Sequence, residues 1–531
     1  MKLFAIRILI LFVLIIFCVF CDSNKKIKVK PNVLFIAVDD LNDWVGVMGG
    51  HELAITPNLD RLAEKGMLFT NAHSPMPVCV ASRNALLSGM HPTSTGWYSL
   101  VRDHDAMVKS YSSIMSGKKM LPALFKSNGY DTYCAGKIFH KGVTDYPFLM
   151  DSLWNDVLPS YKEKLRQIDY DRGDGYGGYI FYPFPKGGSQ LKNFFGNSLK
   201  TGHSLCGGPL DKEDIPQGKM YDELIADYAI DKINKKHEKP FFISAGFVRP
   251  HVPYTAPSKY FDLYNIDDIK IPETLSEEIK NIPLVGKSII YNYGVNGKGD
   301  YQVVNELGVD YWKHLIHSYL ACVTFVDDQI GRVLRALEKS EYSSNTIIVL
   351  WSDHGQSLGE KRNFRKMSLW DESSKVPLYI SLPEMDEGLT CSNPVSLLDV
   401  YPTLVDLCEL PEPSHLEGNS LKPLIANPSM DWNIPVLISW RYKNYAVRSK
   451  DYKYIQYRDG SQELYDMKID PSERNNLALY ENYKHIINEH KKWIPKNPRL
   501  PVGSTDWKGD EIDLTLEKWK VNDSIPTWLV E

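Results

Sequence analysis

Residues 33–40 read Val33-Leu34-Phe35-Ile36-Ala37-Val38-Asp39-Asp40, a continuous apolar run closed by two acids. An apolar run without alternation predicts a strand buried on both faces, the kind found in parallel sheets. In an open α/β sheet, ligands bind beyond the carboxyl ends of the strands. Asp39 and Asp40 therefore stand where a site would form. Adjacent acids there can cap a helix or hold a hard cation through oxygen, and the stretch alone does not choose.

The pattern recurs along the chain. Residues 130–135, 241–247, 345–351 and 376–381 each predict a strand. Helices are expected from residue 56, over 121–128, 221–234, 317–337 and 397–407. In the fourth of these, Leu320, Val323, Val326, Ile330, Val333 and Leu337 fall at helical spacing. Strands alternating with helices predict an α/β fold, a large mostly parallel sheet sandwiched by helices. Four polar clusters follow strand ends: Asp39-Asp40, Lys137 with His140, His251, and Asp353-His354. Strand ends on one edge of a parallel sheet gather in space, and Lys366 can join from a nearby loop. Singly, each cluster also reads as a cap, a surface lysine or an interior histidine.

Residues 77–89 add a different element, with Cys79 four residues before Arg83 and the apolar run Ala85-Leu86-Leu87 after them. A helix beginning near Ala81 or Ser82 would put Cys79 at its N-terminus, where free N–H groups and the helix dipole favour an anion. Arg83 would add a forked cation. The plainer alternative is a small buried cysteine beside a surface arginine.

The pattern changes around residues 420–435. Residues 446–449, 452–457 and 463–465 predict short strands, with Asp459-Gly460 as a hairpin turn. The expected organisation is a leader over 1–27, a catalytic domain over 28–434 and a smaller C-terminal α+β domain over 435–531 with an antiparallel sheet. Stretches 150–220 and 281–299 carry little periodicity and many glycines, and both are expected to be loop.

Composition narrows the class. A chain of 531 residues can bury a large core, and a net charge of −5 leaves no basic footprint, so nucleic acid is not expected as a partner. Lys2 and Arg7 precede an apolar run over 8–20, too short for a membrane span and of signal-peptide length. Cys21 ends that run and suits a lipidated cysteine, although Phe20 is a poor fit before it. Simple secretion and an uncleaved anchor are the alternatives. All three predict an exported protein, periplasmic or at the cell surface. The six later cysteines are scattered without a CxxC spacing, which argues against thiolate zinc and leaves any disulfide pairing unassigned.

Six segments, in order, resemble the type I sulfatases of the alkaline-phosphatase superfamily. They are residues 32–40 (NVLFIAVDD), 79–83 (CVASR), 136–140 (GKIFH), 249–253 (RPHVP), 352–355 (SDHG) and 470–477 (DPSERNNL). The third, fourth and fifth are most similar to iduronate-2-sulfatase and its bacterial polysaccharide-degrading relatives. The resemblance implies an alkaline-phosphatase-like fold and hydrolysis of sulfate esters. It implies that Cys79 is oxidised to formylglycine (3-oxoalanine) by a formylglycine-generating or sulfatase-maturating enzyme. It implies one Ca2+ held by Asp39, Asp40, Asp353, His354 and the modified Cys79. Arg83, Lys137, His140, His251 and Lys366 would complete the catalytic set. A hydrated aldehyde at position 79 would attack sulfur, Lys137 and Lys366 would neutralise sulfate oxygens, His251 would protonate the leaving sugar oxygen, and His140 would take the proton that releases sulfate.

Two positions depart from the family pattern. Ala81 stands where proline is usual, which leaves the maturing enzyme open, and His354 stands where many members have asparagine. The expected substrate is an oligosaccharide from a glycosaminoglycan or an algal polysaccharide such as ulvan or carrageenan. Its recognition is expected from residues 98–115, 150–220 and 281–310. The competing readings are a phosphodiesterase or phosphonate hydrolase of the same superfamily, and a non-catalytic glycan-binding relative.

Overall fold

The computed structural model describes residues 30–98, 104–140, 147–159, 205–212, 215, 218–291, 299–503, 511–522 and 525–529. The leader, with Cys21, and most of the 150–220 stretch lie outside the described residues. Among the described residues, no helix is long and apolar enough to cross a membrane.

In chain order the strands are β1 (Asn32–Asp39), β2 (Met67–His73), β3 (Asp131–Gly136), β4 (Asp156–Val157), β5 (Gly207–Leu210), β6 (Phe241–Pro250) and β7 (Tyr254–Pro257). Then come β8 (Thr346–Ser352), β9 (Ser357–Leu358), β10 (Phe364–Arg365), β11 (Lys375–Ser381), β12 (Leu389–Cys391) and β13 (Val395–Ser396). The main sheet has the order β12-β2-β11-β8-β1-β6-β3-β4, with β13 beside β2. The contacts of β1 with β6 and β8, and of β3 with β6 and β4, are parallel. Only β11 runs against its neighbours β2 and β8.

All eight residues of β1 are buried, as its unbroken apolar run requires. Leu34, Ile36 and Val38 enter one hydrophobic cluster, while Val33, Phe35 and Ala37 enter another. The sheet is therefore covered on both faces. Helices Tyr221–Asn234 and Val309–Lys339 supply one cover; Cys79–Ser88, Leu121–Ser127 and Val400–Leu407 supply the other. A C-terminal antiparallel sheet follows, β14 (Val436–Ser439), β15 (Tyr445–Arg448), β16 (Tyr452–Gln456) and β17 (Gln462–Asp466). It shares a core with Met76, Val78, Val80 and Ala81, so it backs the segment that carries Cys79.

Two expectations are corrected, and one strand was not anticipated. The 281–299 stretch is not all loop: Leu284–Tyr291 is a helix whose Val285, Ile289 and Ile290 pack into the C-terminal core. The flanking glycines masked a short apolar period. Strand β2 has no counterpart in the sequence reading, since Thr70 and Asn71 interrupt its apolar run and pairing with β11 and β12 decides it. The helix after Pro77 starts at Cys79 itself, with Val78 as its cap residue, and not at Ala81 or Ser82. None of the six cysteines from Cys79 to Cys408 forms a disulfide.

Candidate active site

The site forms where β1, β3, β6 and β8 end on one edge of the sheet. Asp39 closes β1, and Asp40 takes a left-handed φ of 61°. That turn breaks the alternation of a regular strand, so both acids can face one centre. Next door, β8 delivers Asp353 and His354, and the Asp353 amide bonds the Val38 carbonyl at 3.3 Å. The Asp40 amide donates to Asp353 Oδ1 at 3.1 Å. Gly136 ends β3 opposite Gly246 of β6, and the Lys137 amide donates to the Gly246 carbonyl at 2.7 Å. A Cβ on Gly136 would meet that carbonyl, and one on Gly246 would meet the Lys137 backbone. Two facing glycines thus let the chain turn sharply enough to bring Lys137 inward.

Cys79 opens its helix at this edge. His354 Nε2 lies 3.1 Å from Cys79 Sγ, 3.5 Å from Asp40 Oδ1 and 3.6 Å from Asp353 Oδ2. His354 Nδ1 lies 3.0 Å from the Gly355 carbonyl, which orients the ring. His140 also hydrogen-bonds Cys79, and its Nδ1 is buried without a protein partner among the described residues. Arg83 points back from the first turn of the helix. Its Nε donates to Asp353 Oδ2 at 2.8 Å and its Nη2 to Asp39 Oδ1 at 3.0 Å, while Nη1 reaches the Lys137 carbonyl. The fork is thus directed at the two acids and the β3 end, and Arg83 is fully buried. Lys137 Nζ pairs with Asp39, and Lys366 Nζ grips both oxygens of Asp40 at 2.8 and 2.6 Å. His251 sits just past β6, half-buried, with Nδ1 2.6 Å from the Val252 carbonyl.

Every residue singled out in the sequence for this site therefore reaches one buried cluster. Ligand atoms of Asp40, Cys79 and His354 lie within 4.8 Å of one another, as do those of Asp39, Cys79 and Asp353, and those of Asp39, Asp40 and His251. Three carboxylates and one imidazole make a donor set suited to a hard divalent cation. Each carboxylate oxygen has two lone-pair sites, so the ion pairs to lysine and arginine leave oxygen available.

The charges act on each other. Burial opposes ionisation of Asp39, but Lys137, with His251 and Arg83, holds it well below the usual carboxylate range. Burial pushes Asp353 up to about 7 despite Arg83. Burial opposes the His354 cation too, yet Asp353, Cys79 and Asp40 raise it to about 9. At Cys79, burial disfavours the thiolate, and the positive groups Lys137, Lys366 and His354 outweigh it. A low thiol value marks a position where positive charge converges on whatever oxygen or sulfur residue 79 carries.

Supporting residues escaped the sequence reading. Tyr319, on the Val309–Lys339 helix, donates to the Asp40 carbonyl at 2.8 Å and accepts from the Asn42 amide at 3.0 Å. Ser82 Oγ donates to the Asp353 carbonyl at 2.5 Å, and Ser352 Oγ to the His354 carbonyl at 3.0 Å. Ser82 and Ser352 lie inside segments already singled out. Tyr319 has no local signal, because only helix-on-sheet packing places it.

This fold and site define a hydrolase of the alkaline-phosphatase-like class. Sequence comparison places the chain within that class. Residues 31–410 match the Sulfatase family model, and residues 359–498 match the model described as N-sulphoglucosamine sulphohydrolase, C-terminal. The chain belongs to the sulfatase family and is a sulfuric ester hydrolase. A sulfatase of Formosa agariphila is 36% identical over 493 residues, covering 90% of this chain and 89% of the relative. Iduronate 2-sulfatase of Homo sapiens is 29% identical, covering 80% and 84%. Among solved structures, a protein in complex with its substrate D-glucosamine-2-N,6-O-disulfate superposes with a TM-score of 0.62 at 22% identity, covering 93% of this chain and 99% of that one. That likeness establishes the fold.

Proposed function

We propose that this sulfatase removes sulfate from oligosaccharides of a sulfated polysaccharide, using a formylglycine made from Cys79 and one divalent cation, calcium. The observation that carries the reading is the convergence of Cys79, Asp39, Asp40, Asp353 and His354 in one buried cluster ringed by Lys137 and Lys366. The names of the relatives support the substrate class, since iduronate and disulfated glucosamine are both sugars. Phosphonate hydrolases share this fold, but the family model and the curated relatives are sulfatases, so phosphonate or phosphodiester chemistry and a non-catalytic role are not favoured.

Oxidation of Cys79 to an aldehyde, hydrated to a gem-diol, supplies an oxygen nucleophile that can be restored after each turnover. A divalent cation, when bound by Asp39, Asp40, Asp353 and His354, supplies positive charge beside that oxygen and the sulfate. Arg83 holds Asp39 and Asp353 in fixed relative positions, so the ligand cage is set before substrate arrives. Lys137 and Lys366 balance charge on the sulfate oxygens. His251, at the half-buried rim, donates a proton to the sugar oxygen as the S–O bond breaks. His140, hydrogen-bonded to residue 79, accepts a proton from the nucleophile's second hydroxyl.

Two measurements test this. Mass spectrometry of the peptide spanning residue 79 should find formylglycine in active protein, and activity from protein carrying only the thiol would refute the mechanism. A panel of defined sulfated glycosaminoglycan and algal oligosaccharides, with sulfate release measured, should identify a substrate; turnover of phosphonates in place of every sulfated sugar would overturn the assignment. Export, with lipid attachment at Cys21, belongs to the same proposal. Cell fractionation and labelling with a palmitate analogue check it.

A further inference from the structure

One segment singled out in the sequence has no part in the chemistry above, the stretch Asp470-Pro471-Ser472-Glu473-Arg474-Asn475-Asn476-Leu477. It follows β17. Asp470 folds it into a turn: Oδ1 accepts the Arg474 amide at 3.0 Å and Oδ2 the Asn475 amide at 2.7 Å. Asn476 ties the turn to the sheet, its Oδ1 accepting the Leu464 amide at 3.1 Å. Glu473, between them, is wholly buried and has a left-handed φ of 55°.

Glu473 makes two contacts that bracket the loop carrying Lys366. Its backbone carbonyl accepts from Lys361 Nζ. Its Oε2 accepts the Asp371 amide at 2.7 Å. Its Oε1 pairs with Lys453 Nζ at 2.9 Å, and that lysine also holds Asp371 Oδ1 at 2.6 Å. Both feet of the 361–371 loop are therefore fastened to one residue, with Lys366 midway between them. The loop needs such fastening. Lys361, Arg362, Arg365 and Met367 all have positive φ, between 51° and 75°, and none is glycine. Side chains disfavour that region, so the loop does not hold this course by itself. Arg365 pairs with Asp300 at 2.5 Å, and the Met367 amide bonds the Pro77 carbonyl at 3.2 Å, which ties the same loop to the Cys79 segment.

We propose that Glu473 is a positioning residue. It holds the strained 361–371 loop so that the Lys366 ammonium stays on the Asp40 side of the site, where sulfate binds. The inference rests on the reading of Lys366 as a sulfate-neutralising cation. Glu473 itself touches no reacting atom.

A double-mutant cycle tests it, with kcat and KM measured on a sulfated substrate for wild type, Glu473→Gln, Lys366→Ala and the double variant. Glu473→Gln keeps the shape and an oxygen acceptor but weakens the grip on Lys453 and Asp371. It should lower kcat/KM by about 10²-fold, the cost of a misplaced catalytic group. In the Lys366→Ala background the same change should cost almost nothing, because there is no ammonium left to misplace. Equal fold losses in both backgrounds, or full activity of Glu473→Gln beside an impaired Lys366→Ala, would overturn the positioning role alone. Full activity of Lys366→Ala would instead sink the reading of Lys366 and the inference built on it. If Glu473→Gln does not fold, Lys361→Met cuts one foot of the loop while keeping a side chain between the Trp370 and Tyr465 rings. It should show the same dependence on Lys366, and a loss independent of Lys366 would refute the proposal.

Discussion

His251 and His140 reach different members of the cluster: His251 groups with Asp39 and Asp40, and His140 hydrogen-bonds Cys79. Both are half-buried, and of the two only His140 is turned to residue 79 among the hydrogen bonds described. A sugar alkoxide is a poor leaving group, whereas a nitrophenolate departs without a proton. His251→Ala should therefore slow a sulfated sugar by about 10²–10⁴-fold and an activated aryl sulfate far less. His140→Ala should slow both, because its step follows departure of either leaving group. Steady-state rates on the two substrate types decide it; equal losses for His251→Ala would make that histidine a binding group and not the acid. Local sequence was enough to single out both histidines, since each follows a strand end.

Strands β3 and β6 place Lys137 through a backbone device. Gly136 and Gly246 face each other in register, and neither has room for a methyl group. Gly246→Ala should push the Lys137 backbone away from the sheet and destabilise the protein by about 1–3 kcal/mol, as overpacking does. Activity should fall further than stability accounts for, because Lys137 Nζ would leave Asp39. Thermal unfolding and kcat on the same sample check both parts. Gly136→Ala adds the strain of a φ of 72° and should be worse. The spacing GKIFH was readable in the sequence, but the reason for its glycine was not. It depends on which strand lies opposite.

The molecule gathers three carboxylates in one buried place, and this shapes how it responds to solution conditions. A bound cation stabilises the folded state by mass action, by about 2.7 kcal/mol at a hundred times its Kd. Chelation should lower both Tm and kcat, and calcium should restore both. Unchanged melting and activity after chelation would remove the cation from the proposal. Three buried histidines add a contribution of their own that acid removes. Burial pulls His73 down to about 3, and His91 and His314 to about 4. The unfolded chain therefore binds protons that the folded chain refuses between pH 6.5 and these values. Their contribution is fully present above pH 6.5 and is lost as the pH falls, at about 1.4 kcal/mol per pH unit for each histidine. Buried Asp353, held up near 7, titrates with the opposite sign, so the histidine share is read as a difference: in urea unfolding from pH 7 to pH 5, the stability of wild type should fall relative to that of His73→Gln.

Local sequence determined β1, β3, β6, β8 and β11 and the residues at the ends of the first four. Apolar runs of strand length rich in β-branched and aromatic residues favour buried strands, and a parallel sheet brings their carboxyl ends together because the strands share one direction. That is why Asp39, Asp40, Lys137, His251, Asp353 and His354 were legible as one site. The hairpin at Asp459-Gly460 was legible too, for Gly460 has a φ of 87° as such a turn requires. Only tertiary structure decided what depends on partners distant in the chain. Strand β2 exists because β11 lies beside it, and the Leu284–Tyr291 helix because the C-terminal core accepts its apolar face. Tyr319 meets Asp40 across 279 residues, and Glu473 meets Asp371 across 102. Local propensity carries no record of such pairings, because the energy that fixes them arises only when the two segments bury each other.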